Sequence, residues 1–319
     1  MRPRLGAHLN GGVRGALEHA RRIGLGHGLD GGEGGPIQIW SRNPSAWRPV
    51  AHDPADIDRF RRGCADADLA PVFTHGIYLM NFASPDERLW TQSIEALVDH
   101  LVVGAQLGAR AVVVHPGSGM TLAPDAALER CARAIRRALE QTEGLAARPL
   151  VALETCAGAG RTIGRTFGDL AALLERLEHH PAIAFVLDTA HLYGSGYDVA
   201  TEDGLRATID ELVATLPAQR LVAIHANDSK APLGSHRDRH ENIGEGAIGA
   251  VAFARLLAHP LLRPLPWILE VPGYDGTGPD AQNLATLRRL AAGDGATTPA
   301  GDGGNVPPGD GSPAALRRP

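Results

Sequence analysis

The sequence predicts an α/β protein with the architecture of a TIM (β/α)8 barrel, and three observations support that fold class. The 319 residues are 44% hydrophobic but only 4% aromatic, which suits helices packed closely on strands rather than a β-sandwich. Short β-rich apolar runs alternate with longer amphipathic stretches almost from end to end. The runs number eight, and a doubly wound sheet rarely reaches eight evenly spaced units in one domain of this length.

The predicted elements follow one another in a regular order. The eight strands are RLGAHL (4–9), PIQIW (36–40), APVFTH (70–75), ARAVVVHPG (109–117), PLVALET (149–155), AFVLDTAH (184–191), RLVAIHAND (220–228) and PWILEV (266–271). Between them, helical periodicity is clear over 84–107, 125–142, 168–178 and 202–216. We expect a helix to start at Ser84-Pro85, because proline fits the first helical turn.

Two segments do not follow this alternation of strands and helices. Residues 24–35, GLGHGLDGGEGG, form a glycine-rich stretch that we expect to be a flexible insertion before the second strand, with His27 in solvent and no phosphate-binding loop. The tail over 293–319 is rich in Gly, Pro and Asp and cannot bury enough apolar surface to fold. We therefore expect a catalytic barrel domain over 1–292 and a disordered tail over 293–319.

Composition restricts the environment and the partners. The formal net charge of −5 argues against nucleic-acid binding by global attraction but leaves room for a local basic surface. Cys64, Cys131 and Cys156 are too few and too far apart for a disulfide framework or a CxxC metal site, which favours the reducing cytoplasm. No signal peptide and no apolar run of about 20 residues is present, so we expect no membrane association. Without a heptad pattern or extended apolar patch, we expect a monomer.

Metal-ligand side chains stand at the ends of the predicted strands. In a TIM barrel the chemistry lies at the C-terminal strand ends, and the last residues of strands three to eight, with the loop after strand seven, supply five imidazoles and four carboxylates. They are His75, His115, Glu154, Asp188, His191, His225, Asp238, His240 and Glu270. So many charged groups in one place require compensating cations. Histidine with carboxylate and without thiolate suits Zn2+, with Mn2+ or Fe possible, and nine ligands predict two or three ions.

Clusters of this kind favour phosphate chemistry. Paired ions about 3.5–4 Å apart can activate water, polarise a phosphoryl oxygen and stabilise a leaving alkoxide. Isomerisation of sugars on a barrel usually needs fewer ligands.

Six segments together resemble the endonuclease IV family of apurinic/apyrimidinic endonucleases. They are GAHLNGG, HGIYLMN, HPGS, LDTAHLYGSGYD, HANDSK and DRHENIGEGAIG, and they occur in family order from residue 5 to about 275. The resemblance implies a TIM barrel with three zinc ions. His75 and His115 would bind the first ion, and Glu154 would bridge it to a second held by Asp188, His225 and Glu270. The third would be bound by His191, Asp238 and His240.

The resemblance also implies an activity, namely hydrolysis of the phosphodiester 5′ to an abasic site in duplex DNA, leaving a 3′-hydroxyl and a 5′-deoxyribose phosphate. A hydroxide bridging the first two ions would attack phosphorus in line, and the third ion would stabilise the departing 3′-oxygen. Of the two catalytic carboxylates, Glu154 would hold the first two ions together. Glu270 would orient or deprotonate the nucleophile.

DNA contacts are predicted on the loops around this site. The family inserts the segment after its first metal histidine into the duplex, and here that segment carries Tyr78 and Leu79. In WSRNPSAWR the family's stack-penetrating arginine is replaced by Ser45, so damage recognition would be weaker or differently built. The candidate phosphate contacts are Arg42, Arg48, Lys230, Arg237 and Arg239.

Two other functions are compatible with parts of the sequence. A sugar isomerase or epimerase of the same barrel superfamily would use Glu154, Asp188, His225 and Glu270, but it would have no need for the remaining histidines or for Asp238. A DNA-binding or scaffolding barrel that keeps its metals for stability would account for Ser45 and the acidic net charge, but an intact ligand set argues against it.

Overall fold

Eight parallel strands close into a barrel in the computed structural model, which describes residues 2–28 and 32–294. The barrel strands are β1 (Arg4–Leu9), β2 (Gly35–Trp40), β3 (Leu69–His75), β4 (Ala111–Val114), β5 (Leu150–Glu154), β6 (Ile183–Asp188), β7 (Leu221–Ala226) and β10 (Pro266–Leu269). Their order around the barrel is β1-β10-β7-β6-β5-β4-β3-β2. The predicted fold class is thereby confirmed.

Helices cover the outside of the barrel, and a short antiparallel pair lies at its mouth. The helices are α1 (Gly12–Arg22), α2 (Pro54–Asp66), α3 (Glu87–Leu107), α4 (Pro124–Gln141), α5 (Phe167–Arg176), α6 (Thr189–Ser195), α7 (Glu202–Thr215), α8 (Ala250–Ala258) and α9 (Ala281–Ala291). The pair consists of β8 (Asp228–Ser229) and β9 (His240–Glu241). Most of these helices form the outer ring of the barrel, whereas α6 lies at its mouth.

The core has two parts. Apolar side chains of different sizes fill the barrel interior, among them Phe73, Val113, Val186 and Ile268. A larger apolar cluster fills the space between the strands and the ring of helices. Because the interior is packed rather than hollow, the polar strand-end residues can meet only at the C-terminal mouth.

Several predicted element boundaries are wrong, among them the end of the fourth strand, which lies at Val114, and in two cases a side-chain cap explains the difference. The sixth strand ends at Asp188, and 189–195 form helix α6 rather than more strand, because the Asp188 carboxylate accepts a hydrogen bond from His191 N (2.8 Å) and caps the helix. Helix α3 begins at Glu87 rather than at Ser84, because Asp86 is its N-cap and accepts a hydrogen bond from Leu89 N.

The described part of the glycine-rich stretch is tied to the barrel. Leu25 is fully buried and forms a parallel bridge with Glu33, and Gly26 N donates to Glu33 O. His27 is exposed, as expected. The prediction for the tail beyond Asp294 lies outside the described residues. Among the helices of 2–28 and 32–294, none is long and apolar enough to cross a membrane.

Candidate metal centre

A cavity of about 230 Å³ opens at the C-terminal mouth of the barrel. Its wall combines residues from opposite sides of the barrel, brought together because all eight strands point the same way. The lining includes His8, Asn10, Trp40, His75, Tyr78, His115, His191, Asp238, His240 and Glu270. Six of the nine predicted metal-ligand residues therefore face one space, and the other three lie directly behind them.

His75, His115 and Glu154 form the first of three groups whose ligand atoms lie within 4.8 Å of one another. Glu154 Oε2 lies 3.1 Å from His75 Nε2 and 3.3 Å from His115 Nε2. Glu154 is fully buried at the end of β5. One carboxylate oxygen thus faces two imidazole nitrogens.

A second group shares Glu154 and adds Asp188, His225 and Glu270. His225 Nδ1 lies 2.8 Å from Glu154 Oε1 and 3.1 Å from Glu270 Oε2. Because the two oxygens of Glu154 face different groups, this carboxylate lies between them. That is the position which the family resemblance implies for a bridging ligand.

The third group contains Asp188, His191 and His240. Asp238 lies against it, with one oxygen 3.2 Å from His191 Nε2 and the other 3.1 Å from His240 Nε2. His240 Nε2 is buried and makes no hydrogen bond of acceptable geometry with any described residue. A nitrogen that approaches a carboxylate without bonding to it fits two ligands directed at a common ion.

The histidines are oriented through their second ring nitrogen. His75, His191 and His240 place Nδ1 at 2.8, 2.8 and 3.2 Å from the backbone oxygens of Gly76, Thr155 and Glu270. In His115, Nδ1 lies 3.3 Å from the Cys156 thiol. An N–H fixed in this way makes Nε2 the nitrogen that can bind a metal once its own proton is displaced.

Electrostatics keep the central carboxylates ionised. Burial would raise the pKa of Glu154, but the imidazoles of His225 and His115 hold that pKa well below its usual range. Burial opposes ionisation of Asp238 in the same way, and the adjacent imidazoles of His191 and His240 lower its pKa. For His225, burial lowers the pKa, but Glu270 and Glu154 raise it to about 9. The cluster therefore offers ionised carboxylates as metal ligands. A bound metal would displace protons from the neighbouring imidazoles.

The loop that carries Asp238 and His240 is held from both ends. In the β8–β9 pair, Ser229 lies opposite His240, and Lys230 N donates to Arg239 O at 2.9 Å. Beyond β9, the buried Asp228 carboxylate accepts hydrogen bonds from backbone N–H groups between 244 and 249. This explains how a segment with almost no apolar side chains keeps a fixed position.

At least four residues of the site were not predicted, among them Asn10 on the cavity wall. His8 and Trp40 line the cavity, and Gln38 is fully buried behind it. His8 stands near the end of the first strand, so the strand-end rule applied to strands three to eight would have found it. Gln38 lies inside its strand and gave no comparable signal.

An aromatic surface extends from the metal centre to the rim of the cavity. The Trp40 ring packs against His75 (4.7 Å between centroids) and Tyr78 (4.8 Å). Tyr78 is 66% exposed, whereas Leu79 is half-buried against the core. Of the two predicted duplex contacts, Tyr78 has the more accessible side chain.

Arg42 requires a correction as a predicted phosphate contact. Its side chain is only 2% exposed and lies 3.1 Å from Asp99, and it also donates to Trp47 O (3.3 Å). The guanidinium is thus buried beneath the loop after β2, which it holds in place. Arg48 on the same loop is exposed.

The other basic residues of the prediction lie around the mouth. Lys230, Arg237 and Arg239 are all exposed, and Lys230 lies 3.5 Å from Glu241. Ser45 is exposed, and the neighbouring Pro44 O accepts a hydrogen bond from Tyr78 N (3.0 Å). The loop with Ser45 is therefore docked on the loop with Tyr78.

Comparisons with known proteins agree with this geometry. A family model described as a xylose isomerase-like TIM barrel matches residues 27–292. The probable endonuclease 4 of Nitratidesulfovibrio vulgaris strain DP4 is 39% identical over 91% of this chain and 99% of its own, and that of Chlorobium limicola is 36% identical over 90% and 96%. The crystal structure of endonuclease IV from Thermus thermophilus is similar, with a TM-score of 0.77 and 35% identity over 91% of this chain and 100% of its own. A D-tagatose 3-epimerase-like protein, 16% identical with a TM-score of 0.66, shares the fold.

Proposed function

Because this chain belongs to the endonuclease IV family within the xylose isomerase-like TIM barrels, we propose that it repairs DNA by hydrolysing the phosphodiester 5′ to abasic sites in duplex DNA. The products would be a 3′-hydroxyl and a 5′-deoxyribose phosphate. The observation that carries the proposal is the set of three adjoining His/carboxylate groups around one cavity.

The donor set fits zinc. Four of the five histidines direct Nε2 toward carboxylate oxygens while Nδ1 is held elsewhere, and His240 Nε2 is a buried atom without a hydrogen bond among the described residues. His75 and His115 would hold one ion, with Glu154 shared, and Asp188, His225 and Glu270 a second. The third would be held by His191, Asp238 and His240. Bound zinc would supply activated water and stabilise negative charge on the phosphoryl and leaving oxygens.

The rest of the chemistry falls to the side chains. Glu154 is the shared ligand, and its complete burial keeps water from competing for its oxygens. Tyr78 projects from the rim and would contact the duplex where an abasic nucleotide turns out, since that position lacks the base pairing and stacking that oppose extrusion. Arg48, Lys230, Arg237 and Arg239 would contact phosphates on either side.

Incision of a duplex oligonucleotide with one tetrahydrofuran abasic analogue tests the proposal. Tetrahydrofuran blocks β-elimination, so cleavage must be hydrolytic. Zinc-loaded protein should cut 5′ to the analogue and leave a 3′-hydroxyl, an undamaged duplex should stay intact, and Asp238→Ala/His240→Ala should lose activity by at least about 100-fold, as expected when a metal site is lost.

The chain offers a matched control in Glu175→Ala/His179→Ala. This pair also joins a carboxylate to a histidine, 3.0 Å apart, but lies exposed at the end of α5. It should retain wild-type incision. If fully zinc-loaded wild-type protein does not cleave this duplex, the proposed function is refuted. Sugar substrates would then be tested, because a sugar isomerase or epimerase needs only the group formed by Glu154, Asp188, His225 and Glu270.

A further inference from the structure

Gln38 joins two of the candidate metal ligands through one side-chain amide. Gln38 Nε2 lies 2.5 Å from Glu270 Oε1, and Gln38 Oε1 lies 3.1 Å from His225 Nε2. An ionised carboxylate only accepts hydrogen bonds, so the amide group that faces Glu270 must be the NH2. The amide oxygen is then fixed toward His225, and Gln38 is fully buried in this orientation.

This orientation determines the tautomer of His225. An amide oxygen only accepts, so His225 must carry its proton on Nε2. With Nε2 kept protonated, Nδ1 is the nitrogen that gives up its proton when a metal binds, and it is this atom that lies near Glu154 Oε1 (2.8 Å) and Glu270 Oε2 (3.1 Å). His225 thus presents Nδ1 to the cluster, unlike His75 and His240, whose Nδ1 atoms are held by backbone oxygens.

His8 completes the arrangement around Glu270. His8 Nδ1 lies 3.0 Å from Glu270 Oε1, the same oxygen that Gln38 contacts. His8 Nδ1 and Gln38 Nε2 are themselves 3.0 Å apart, but because the Glu270 carboxylate only accepts, both nitrogens donate to it rather than one to the other. Glu270 Oε1 is therefore occupied by two hydrogen bonds, and Oε2 is left facing His225.

We propose that Gln38 and His8 are positioning residues of the metal centre: Gln38 makes His225 an Nδ1 ligand, and the two together restrict Glu270 to one ligating oxygen. The inference rests on the proposed metal-dependent function. It revises the role predicted for Glu270, because an oxygen that accepts two hydrogen bonds has little capacity to take a proton from water. Glu270 acts as a ligand and not as the base.

Zinc retention measures this positioning without DNA. Full-length protein is loaded with zinc alone and dialysed against graded chelator, and the remaining zinc is measured together with the melting temperatures of loaded and stripped protein. The variants are Gln38→Met, His8→Phe and His8→Asn, whose amide nitrogen can replace Nδ1 as a donor. Thr142→Val is the control, since it removes a buried hydroxyl that donates to Ala138 O at the far end of α4.

Gln38→Met and His8→Phe should release zinc at roughly 10- to 100-fold lower chelator concentration, the usual effect of losing a group that orients a metal ligand. His8→Asn should restore most of the retention, and Thr142→Val should lower the melting temperature of stripped and loaded protein equally. Wild-type retention in Gln38→Met, or the same loss in Thr142→Val, would overturn the inference.

The two proposals can fail separately. Gln38-dependent zinc retention in a protein that leaves abasic DNA intact refutes the proposed function alone. Normal incision with retention independent of Gln38 refutes the positioning role alone.

Discussion

The buried carboxylate of Asp228 anchors the loop that follows His240, and Asp228→Asn tests how much that anchor contributes. One oxygen accepts hydrogen bonds from Ser229 N (2.8 Å) and Ile248 N (2.9 Å), and the other accepts from Gly244 N (3.0 Å) and Gly249 N (3.1 Å). Asparagine has a single oxygen. Whichever way its amide turns, two N–H groups lose their nearest acceptor and face an NH2 group instead, and only Gly249 N also lies within 3.4 Å of the other oxygen.

The expected loss of stability follows from the number of hydrogen bonds removed. A hydrogen bond to a charged group contributes about 1.5–3 kcal/mol, so losing two should lower the free energy of unfolding by about 3–6 kcal/mol. Melting temperatures of domains near this size fall by about 2–4 °C per kcal/mol, so the midpoint should drop by about 6–20 °C. The loop over 240–249 should also become sensitive to protease, because its backbone bonds are the ones removed.

Urea denaturation and limited proteolysis of zinc-loaded protein measure both effects, with Asp53→Asn as the control. Asp53 is an exposed N-cap of α2 that accepts a hydrogen bond from Ala55 N (2.8 Å), and asparagine is an equally good N-cap. The control should therefore stay within about 0.5 kcal/mol of wild type. If Asp228→Asn costs less than about 1 kcal/mol and the loop remains protected, Asp228 is not the anchor described here.

Two further predictions concern charge. Arg42→Met should lower the free energy of unfolding by about 1–2 kcal/mol, because Asp99, one-third exposed, loses its partner. Arg42→Met should leave the salt dependence of DNA binding unchanged, whereas Arg48→Ala should reduce the slope of log K against log salt by about 0.9. Equal slopes for the two variants would contradict the assignment of Arg48, and not Arg42, as a phosphate contact. In chelator-stripped protein, burial lowers the pKa of His225 and of His240, but carboxylates raise both from 6.5 to about 9. Between pH 6.5 and 9 the folded state then holds more protons than the unfolded state. The stabilisation that is present below pH 6.5 should therefore be lost as the pH rises to 9. Urea midpoints that stay constant or rise over that range would contradict this prediction.

The sequence was most informative where one rule governed many residues. Alternation of apolar runs predicted all eight barrel strands, and the strand ends together with the loop after strand seven predicted that nine metal-ligand side chains would meet. The errors arose where a side chain changed the backbone locally. Asp188 ends its strand and caps a helix, and this cannot be read from hydrophobic periodicity, because an aspartate after an apolar run is equally compatible with a continuing strand.

The roles of Arg42 and Gln38 could not be predicted from the sequence for a different reason. Arg42 belongs to a polar loop beside other arginines, so sequence alone suggests a surface charge, but Asp99 on α3 provides a buried partner that only the tertiary structure brings close. Gln38 is an isolated polar residue within an apolar strand. Its importance depends on Glu270 and His225, which lie 232 and 187 residues away in the chain.

The spacing of the ligands in sequence reflects the local structures that carry them. Asp188 and His191 are three residues apart because the carboxylate that ends β6 also caps α6, and that cap returns the His191 ring to the cluster. Asp238 and His240 reach the same place because the β8–β9 pair sets His240 opposite Ser229. Such spacings identify which residues meet, but they do not determine which nitrogen each imidazole presents. That choice depends on the partner of the other nitrogen, a backbone oxygen for His240 and the Gln38 amide for His225.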